Sequence, residues 1–188
     1  LALARQARAQ YMDAKAERLE ELLSHLHHPD DQPKIIIFTE FIATQKALRQ
    51  QCEFAGFSTT LINGNMTLEE RNASLRDFRH KMDILISTDA GGEGLNLQFA
   101  YIVINFDLPW NPMKIEQRIG RADRIGQEHD VEVYNFILAD TVENRVRTVL
   151  EEKLAVIFAE LGIDKLQDVL DSSSAEMDFT SVYMKTIV

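Results

Sequence analysis

The sequence contains very little cysteine: Cys52 is the only one among 188 residues, which excludes an intramolecular disulfide framework. Such usage is typical of a reducing compartment. No apolar run approaches the roughly 20 residues that a membrane-spanning helix needs, and no signal-peptide pattern is present. Acidic residues outnumber basic ones, 30 to 20. The formal net charge of −10 argues against broad adhesion to nucleic acid, so any such contact must be local.

Two nucleotide-binding motifs are also missing. The sequence has no Gly-x-x-x-x-Gly-Lys-Ser/Thr phosphate loop, and no Asp-Glu pair ends a strand where it could hold magnesium and position water. This chain should therefore not hydrolyse ATP alone. It begins at Leu1 rather than Met, as expected of a piece of a longer protein.

Hydrophobic residues at 45% and charged residues at 27% are typical of a globular domain. From residue 34, short apolar runs alternate with amphipathic stretches, which predicts an α/β fold with a mainly parallel sheet covered by helices on both faces. Strands are predicted at 35–38, 58–62, 83–87, 101–105 and 131–137, and helices at 1–28, 41–55, 67–79 and 141–161. The predicted organisation is an N-terminal helix and linker (1–33), a lobe (34–140), brace helices (141–171) and a Ser-rich tail (172–188).

In such sheets, ligands bind beyond the carboxyl ends of the strands. After the first strand, Thr39 and nearby backbone amides are placed to hold a phosphate. After the third strand, residues 88–97 include Gly91, Gly92 and Gly94, a density that favours a ligand-facing loop over a wide connection. After the fourth strand, Trp110 stands between two prolines, either as a ligand contact or as a core plug. The histidines at 25, 27 and 28 lack a carboxylate or cysteine partner, so no metal site is predicted.

The stretch 117–127 places fixed positive charge on a predicted helix over 112–124, with Asn111 as its N-cap and Pro112 at its first position. At about 100° per residue, the two sides of this helix separate. The apolar side comprises Ile115, Ile119 and Ala122, and the opposite side Gln117, Arg121 and Arg124. Arginine forks match phosphate oxygens, so this side is suited to a polyanion, although a solvated amphipathic helix explains the pattern too.

Four segments together resemble the second motor lobe of superfamily-two helicases: 35–41, 87–97, 106–112 and 117–127. The Trp-Asn-Pro and Arg-Ile-Gly-Gln elements within them resemble the Snf-type (SWI/SNF-like) DNA translocases. The likeness covers roughly residues 15–160, with the motifs in one order at natural spacing. It implies a RecA-like three-layer lobe.

The resemblance also implies roles for individual residues. Arg121 and Arg124 match the arginine fingers, and Gln117 matches a glutamine that supports the nucleotide site. The segment Gly92, Glu93 and Gly94 would link nucleotide to DNA, whereas Thr39, Thr88 and Trp110 match DNA contacts.

The same resemblance implies ATP and Mg²⁺ as cofactors, held mainly by a separate N-terminal RecA-like lobe and not bound tightly by this chain. The expected partners are that lobe, double-stranded DNA, and RNA polymerase or another DNA-bound complex, with no membrane. Glu93 and Asp123 differ from many eukaryotic members, which favours a bacterial or archaeal, cytoplasmic and nucleoid-associated protein. An RNA helicase lobe and a non-catalytic binding module remain the alternatives.

Overall fold

The computed structural model describes residues 2–26, 33–92, 94–109, 111–137 and 186–187. The helices are α1 (Ala2–Leu26), α2 (Ile42–Phe54), α3 (Leu68–His80), α4 (Asp89–Gly92) and α5 (Pro112–Ile119). The strands are β1 (Ile35–Thr39), β2 (Thr59–Ile62), β3 (Ile84–Thr88), β4 (Ile102–Asn105), β5 (Glu132–Phe136) and β6 (Thr186–Ile187). Among these described residues, no helix is both long and apolar enough to cross a membrane.

All neighbouring strands pair in parallel, in the order β2-β3-β1-β4-β5-β6. The five predicted strands are confirmed, with ends that differ by a residue or so. The sixth strand was not predicted: Thr186–Ile187 pair with the end of β5, within the segment that the sequence suggests is a tail.

Alternate residues of the central strands face two separate cores, which explains why the strand sequences are continuously apolar. Ile36, Leu85 and Val103 pack with residues of α3 and α5 on one face. On the other face, Ile35, Ile84 and Ile102 pack with residues of α1 and α2. The predicted three-layer arrangement is confirmed.

The direction of the connections places a crevice at the carboxyl edge. Neighbouring strands β1 and β4 lead to helices on opposite faces, since Leu48 of α2 belongs to one core and Ile115 of α5 to the other. Such a switch point is where open α/β sheets bind ligands.

Two local predictions need correction. The helix predicted over 112–124 ends at Ile119, because Gly120 caps it and the following amides bond mostly to carbonyls three residues back. The glycine-rich loop after β3 begins with the short helix α4. Residues 138–185 and 188, Glu93 and Trp110 lie outside the described residues, and so does the predicted brace helix over 141–161.

Candidate nucleotide-facing cleft

A cleft of about 450 Å³ lies at the carboxyl edge of the sheet. Its walls come from the segments that follow β1, β2 and β3, and from α5. The lining residues are Phe38, Glu40, Ile42, Gly64, Asn65, Thr88, Asp89, Ala90, Gly92, Lys114, Gln117, Arg118 and Arg121.

Helix α5 reaches the cleft because both its start and its buried side are set by the sequence. The Asn111 side chain accepts a hydrogen bond from the Met113 amide at 3.0 Å, and Pro112 occupies the first turn. Ile115 and Ile119 are buried in the core, as predicted. The opposite side of the helix is therefore turned away from the core.

Four of the predicted site residues line this one cleft: Gln117, Arg121, Thr88 and Gly92. Gln117 is exposed and Arg121 is half-buried. Arg124 is not among the lining residues. Its Nε donates to the Gly120 carbonyl oxygen at 3.1 Å on the exposed surface. The end of α5 at Ile119 explains this separation, because Arg124 is no longer one helical turn above Arg121.

The other predicted residues lie elsewhere. Thr39 is fully buried, and its hydroxyl donates to Asp107 Oδ2 at 2.5 Å. Gly94 has a φ of +75°, which favours glycine, and does not line the cleft. Glu93 and Trp110 fall outside the described residues.

The glycines at 91 and 92 have a packing reason as well. A Cβ at Gly91 would lie 2.4 Å from Asn63 Cα, far inside ordinary contact. A Cβ at Gly92 would lie 3.1 Å from Ser87 Oγ. Close approach of α4 to the end of β2 therefore accounts for Gly91 without any ligand.

The sequence prediction did not single out Arg118, which the structure places at the base of the cleft. Its Nε donates to Asp89 Oδ1 at 2.7 Å, and its Nη1 donates to Asn105 Oδ1 at 3.0 Å. The side chain is only 3% exposed. A signal was available: at about 100° per residue, Arg118 falls on the apolar side of the helix beside Ile115 and Ala122, where a charge needs a buried partner.

Charges in the cleft are mixed. Lys114 Nζ lies 3.7 Å from Asp89 Oδ2. The pKa of Glu40 is raised, chiefly by burial and then by the negative charge of Asp89. Asp89 is paired with both Lys114 and Arg118. Arg121 and Gln117 also line the cleft, and their side chains can donate to an incoming anion. Within the described part of the chain, no three His, Cys, Asp or Glu side chains are grouped as metal ligands.

Residues 14–126 match the family model described as the helicase conserved C-terminal domain. The chain belongs to this family. Its relatives and its parallel sheet identify it more narrowly as the C-terminal RecA-like lobe of an Snf2-type, superfamily-two helicase.

Relatives of this helicase lobe include an uncharacterized ATP-dependent helicase, YqhH, of Bacillus subtilis (strain 168), 42% identical over 158 residues. That alignment covers 84% of the lobe and 27% of the helicase. The chromatin-remodeling ATPase INO80 of Vanderwaltozyma polyspora is 33% identical over 143 residues, covering 74% of the lobe and 9% of that protein. The lobe thus spans about a quarter or less of the length of these curated relatives.

Among solved structures, the C-terminal part of the Fun30 ATPase domain is similar with a TM-score of 0.68 and 28% identity. The similarity covers 72% of this lobe and 44% of that chain. The RecA-like fold that the sequence predicts is therefore confirmed.

Proposed function

We propose that this lobe supplies arginine fingers and DNA-backbone contacts to an ATP-dependent motor that moves along double-stranded DNA. The observation that carries the proposal is that Gln117 and Arg121 meet in one cleft at the switch point of the sheet. An N-terminal lobe of the same protein would hold the nucleotide against this cleft.

The residues present fit a triphosphate approaching from outside. Arg121 lines the cleft, and Arg118, at its base, has one buried nitrogen, Nη2, without an acceptor among the described residues. ATP and Mg²⁺ would be gripped mainly by the other lobe, since the phosphate loop is absent from this sequence. The part of this chain is to stabilise the negative charge that develops on the γ-phosphate, an effect on the order of 10³–10⁵ in rate for arginine fingers.

Arg121 is the stronger of the two finger assignments, because Arg124 bonds to the Gly120 carbonyl outside the lining residues. Closure of the two lobes would have to break that exposed bond for Arg124 to reach the nucleotide. Such hydrogen bonds contribute little in water, so this rearrangement costs about 1 kcal/mol.

DNA would be contacted at the same edge of the sheet. Thr39 and Thr88 are paired in register at the ends of β1 and β3, so both lie at one place on that edge. The Thr39 hydroxyl is bound to Asp107, and a phosphate contact through it requires exchange of that bond. The similarity to a chromatin-remodeling ATPase favours duplex DNA over RNA. A bacterial or archaeal cytoplasmic location is part of the same proposal.

The test is DNA-stimulated ATP hydrolysis by the parent protein that contains both lobes. Arg121→Ala should lower kcat by about 10³-fold or more while leaving DNA affinity nearly unchanged. Arg76→Ala, an exposed arginine on α3, is the matched control and should leave kcat unchanged. An unchanged rate for Arg121→Ala would refute the finger assignment.

Triplex displacement on duplex DNA tests movement along the duplex. Stimulation by RNA alone would favour an RNA helicase lobe, and nucleic-acid binding without stimulated hydrolysis would favour a binding module. The isolated chain is expected to bind ATP negligibly by calorimetry.

A further inference from the structure

Arg118 is unusual because its charge lies on the buried side of α5. It is 3% exposed, and the neighbouring core residues Ile115 and Ile119 are 0% and 3% exposed. A buried guanidinium costs free energy unless acceptors lie close to it. Nε and Nη1 of Arg118 have such acceptors, whereas Nη2 has none among the described residues.

One guanidinium joins three adjacent strands. Its Nε donates to Asp89, directly after β3, and its Nη1 donates to the side chain of Asn105, the last residue of β4. Nη1 also donates to the Asp107 carbonyl oxygen at 2.8 Å. The guanidinium carbon lies 5.4 Å from the ring centre of Phe38 on β1, which separates the other two strands.

The residues that accept hydrogen bonds from Arg118 have further partners that hold them in place. Asn105 Nδ2 donates to Asn135 Oδ1 of β5 at 2.8 Å in the buried interior. The Asp107 carboxylate accepts from the Thr39 hydroxyl, and Lys15 of α1 lies 4.0 Å from it. Arg118 thus binds a preorganised surface rather than a flexible one.

Because Arg118 is close in sequence to Gln117 and Arg121, its contacts also hold the backbone of these two cleft residues in place. Gln117 precedes it directly, and Arg121 follows within one turn, just after the Gly120 cap. The carbonyl oxygen of Arg121 accepts a hydrogen bond from the Leu97 amide at 2.9 Å, which holds the backbone of the turn. Arg118 and this second bond fix the segment at two points on either side of Gly120.

We propose that Arg118 is a positioning residue for Arg121: by spanning the carboxyl ends of β3, β1 and β4, it sets the place and angle from which Arg121 and Gln117 reach the nucleotide. The inference rests on the proposed function, because it assumes that Arg121 acts on nucleotide held by another lobe. Lysine cannot substitute fully, since a point charge cannot reproduce a planar fork directed at acceptors from two strands.

The first test measures kcat and KM for ATP in the two-lobe parent protein at saturating DNA. Misplacement of a catalytic group by about 1 Å lowers rates by about 10²-fold, so Arg118→Gln should lower kcat by about that factor with little change in KM. Arg118→Lys should recover only part of the loss. A change in KM alone would overturn the proposal.

The decisive step is a double variant. If Arg118 acts through Arg121, Arg118→Gln should lower kcat no further, within about twofold, once Arg121 is alanine. A full multiplicative loss in that background would overturn the inference while leaving the finger assignment intact. Conversely, if Arg121→Ala alone leaves kcat unchanged, the proposed function itself fails.

A control variant at the amino edge of the sheet distinguishes a loss of stability from a loss of positioning. The Asp83 carboxylate accepts from the Ser58 amide at 2.8 Å and from its hydroxyl at 2.6 Å, outside the cleft. Asp83→Asn should lower the denaturation midpoint but leave kcat per folded molecule unchanged. A drop in kcat comparable with that of Arg118→Gln would assign the Arg118 effect to general destabilisation and overturn the proposal.

A readout that needs no hydrolysis is the urea midpoint of the chain itself. Asp89→Asn retains an oxygen that can accept the hydrogen bond from Arg118 but removes the negative charge. This variant also tests the contact if Arg118→Gln fails to fold. Its midpoint shift should be strongly non-additive with that of Arg118→Lys, since both disturb one bond. In the parent protein, Asp89→Asn should lower kcat without raising KM. Additive midpoint shifts or an unchanged kcat would contradict the assigned arrangement.

Discussion

Substitution of Gly91 by alanine is expected to destabilise the lobe severely. The added Cβ would lie 2.4 Å from Asn63 Cα, 2.6 Å from Asn63 N and 2.7 Å from the Ile62 carbonyl carbon. All three neighbours are backbone atoms at the end of β2, so no side chain can rotate to relieve the contact. Either α4 or the end of β2 must move.

The size of the effect follows from these distances. Carbon atoms pack at about 3.5–4.0 Å, so a displacement of about 1 Å is needed. Overpacking of this kind typically costs about 1–3 kcal/mol, and because the three nearest neighbours are all backbone atoms, Gly91→Ala is expected near the upper end of that range. Gly92→Ala is a matched control in the same helix, because its nearest neighbour would be the Ser87 hydroxyl oxygen at 3.1 Å. That variant should cost less than about 1 kcal/mol.

Urea unfolding of the two variants and the parent chain measures the difference in the free energy of unfolding. Equal slopes with a lower midpoint for Gly91→Ala would show that the folded state is destabilised. If Gly91→Ala costs no more than Gly92→Ala, the close approach of α4 to Asn63 is wrong. The glycine at 91 would then need a different explanation, such as direct ligand contact.

Three further predictions concern buried polar groups. Thr39→Val removes the donor to the partly buried Asp107 and should cost about 1–3 kcal/mol in unfolding free energy; weaker DNA binding with unchanged stability would instead indicate that the hydroxyl faces phosphate. Burial, with a contribution from Asp123, raises the pKa of Glu116 from 4.5 to about 7. Because the folded state disfavours the ionised form, stability should fall by roughly 1–3 kcal/mol as pH rises from about 4.5 to about 7 and stay low above it. Glu116→Gln should remove that decline, and an unaltered pH profile would refute the assignment. Burial also raises the pKa of the Cys52 thiol to about 12, so alkylation should be slow until the lobe unfolds. Equal alkylation rates in native buffer and in urea would contradict this.

Local signals predicted most of the elements. The helix predicted over 67–79 is confirmed as α3, which opens with a capping box between Thr67 and Glu70, and Asn111 caps α5 as predicted. These features depend on residues within one turn of each other, which is why sequence spacing alone identifies them. The five main strands were equally clear, because burial on both faces leaves a continuous apolar run.

The prediction that continued the helical repeat of α5 along the sequence was less accurate. The prediction that Arg121 and Arg124 share one side of a helix assumed that the helix continues through residue 124, but α5 ends at Ile119. Gly120 lies inside the predicted helix and instead forms its C-cap. The period of a helix cannot show where tertiary bonds, such as that from the Leu97 amide to the Arg121 carbonyl, hold the chain in a turn.

The sequence alone determined the α/β class, the family resemblance and the four cleft residues Gln117, Arg121, Thr88 and Gly92, since motif order and strand ends place them at one edge. Only the tertiary structure decided that Arg118 is buried against Asp89 and Asn105, and that the Thr39 hydroxyl is bound to Asp107. Those partners are separated along the chain and meet because β1 lies between β3 and β4. The strand order brings these partners together, and the local sequence pattern does not predict that order.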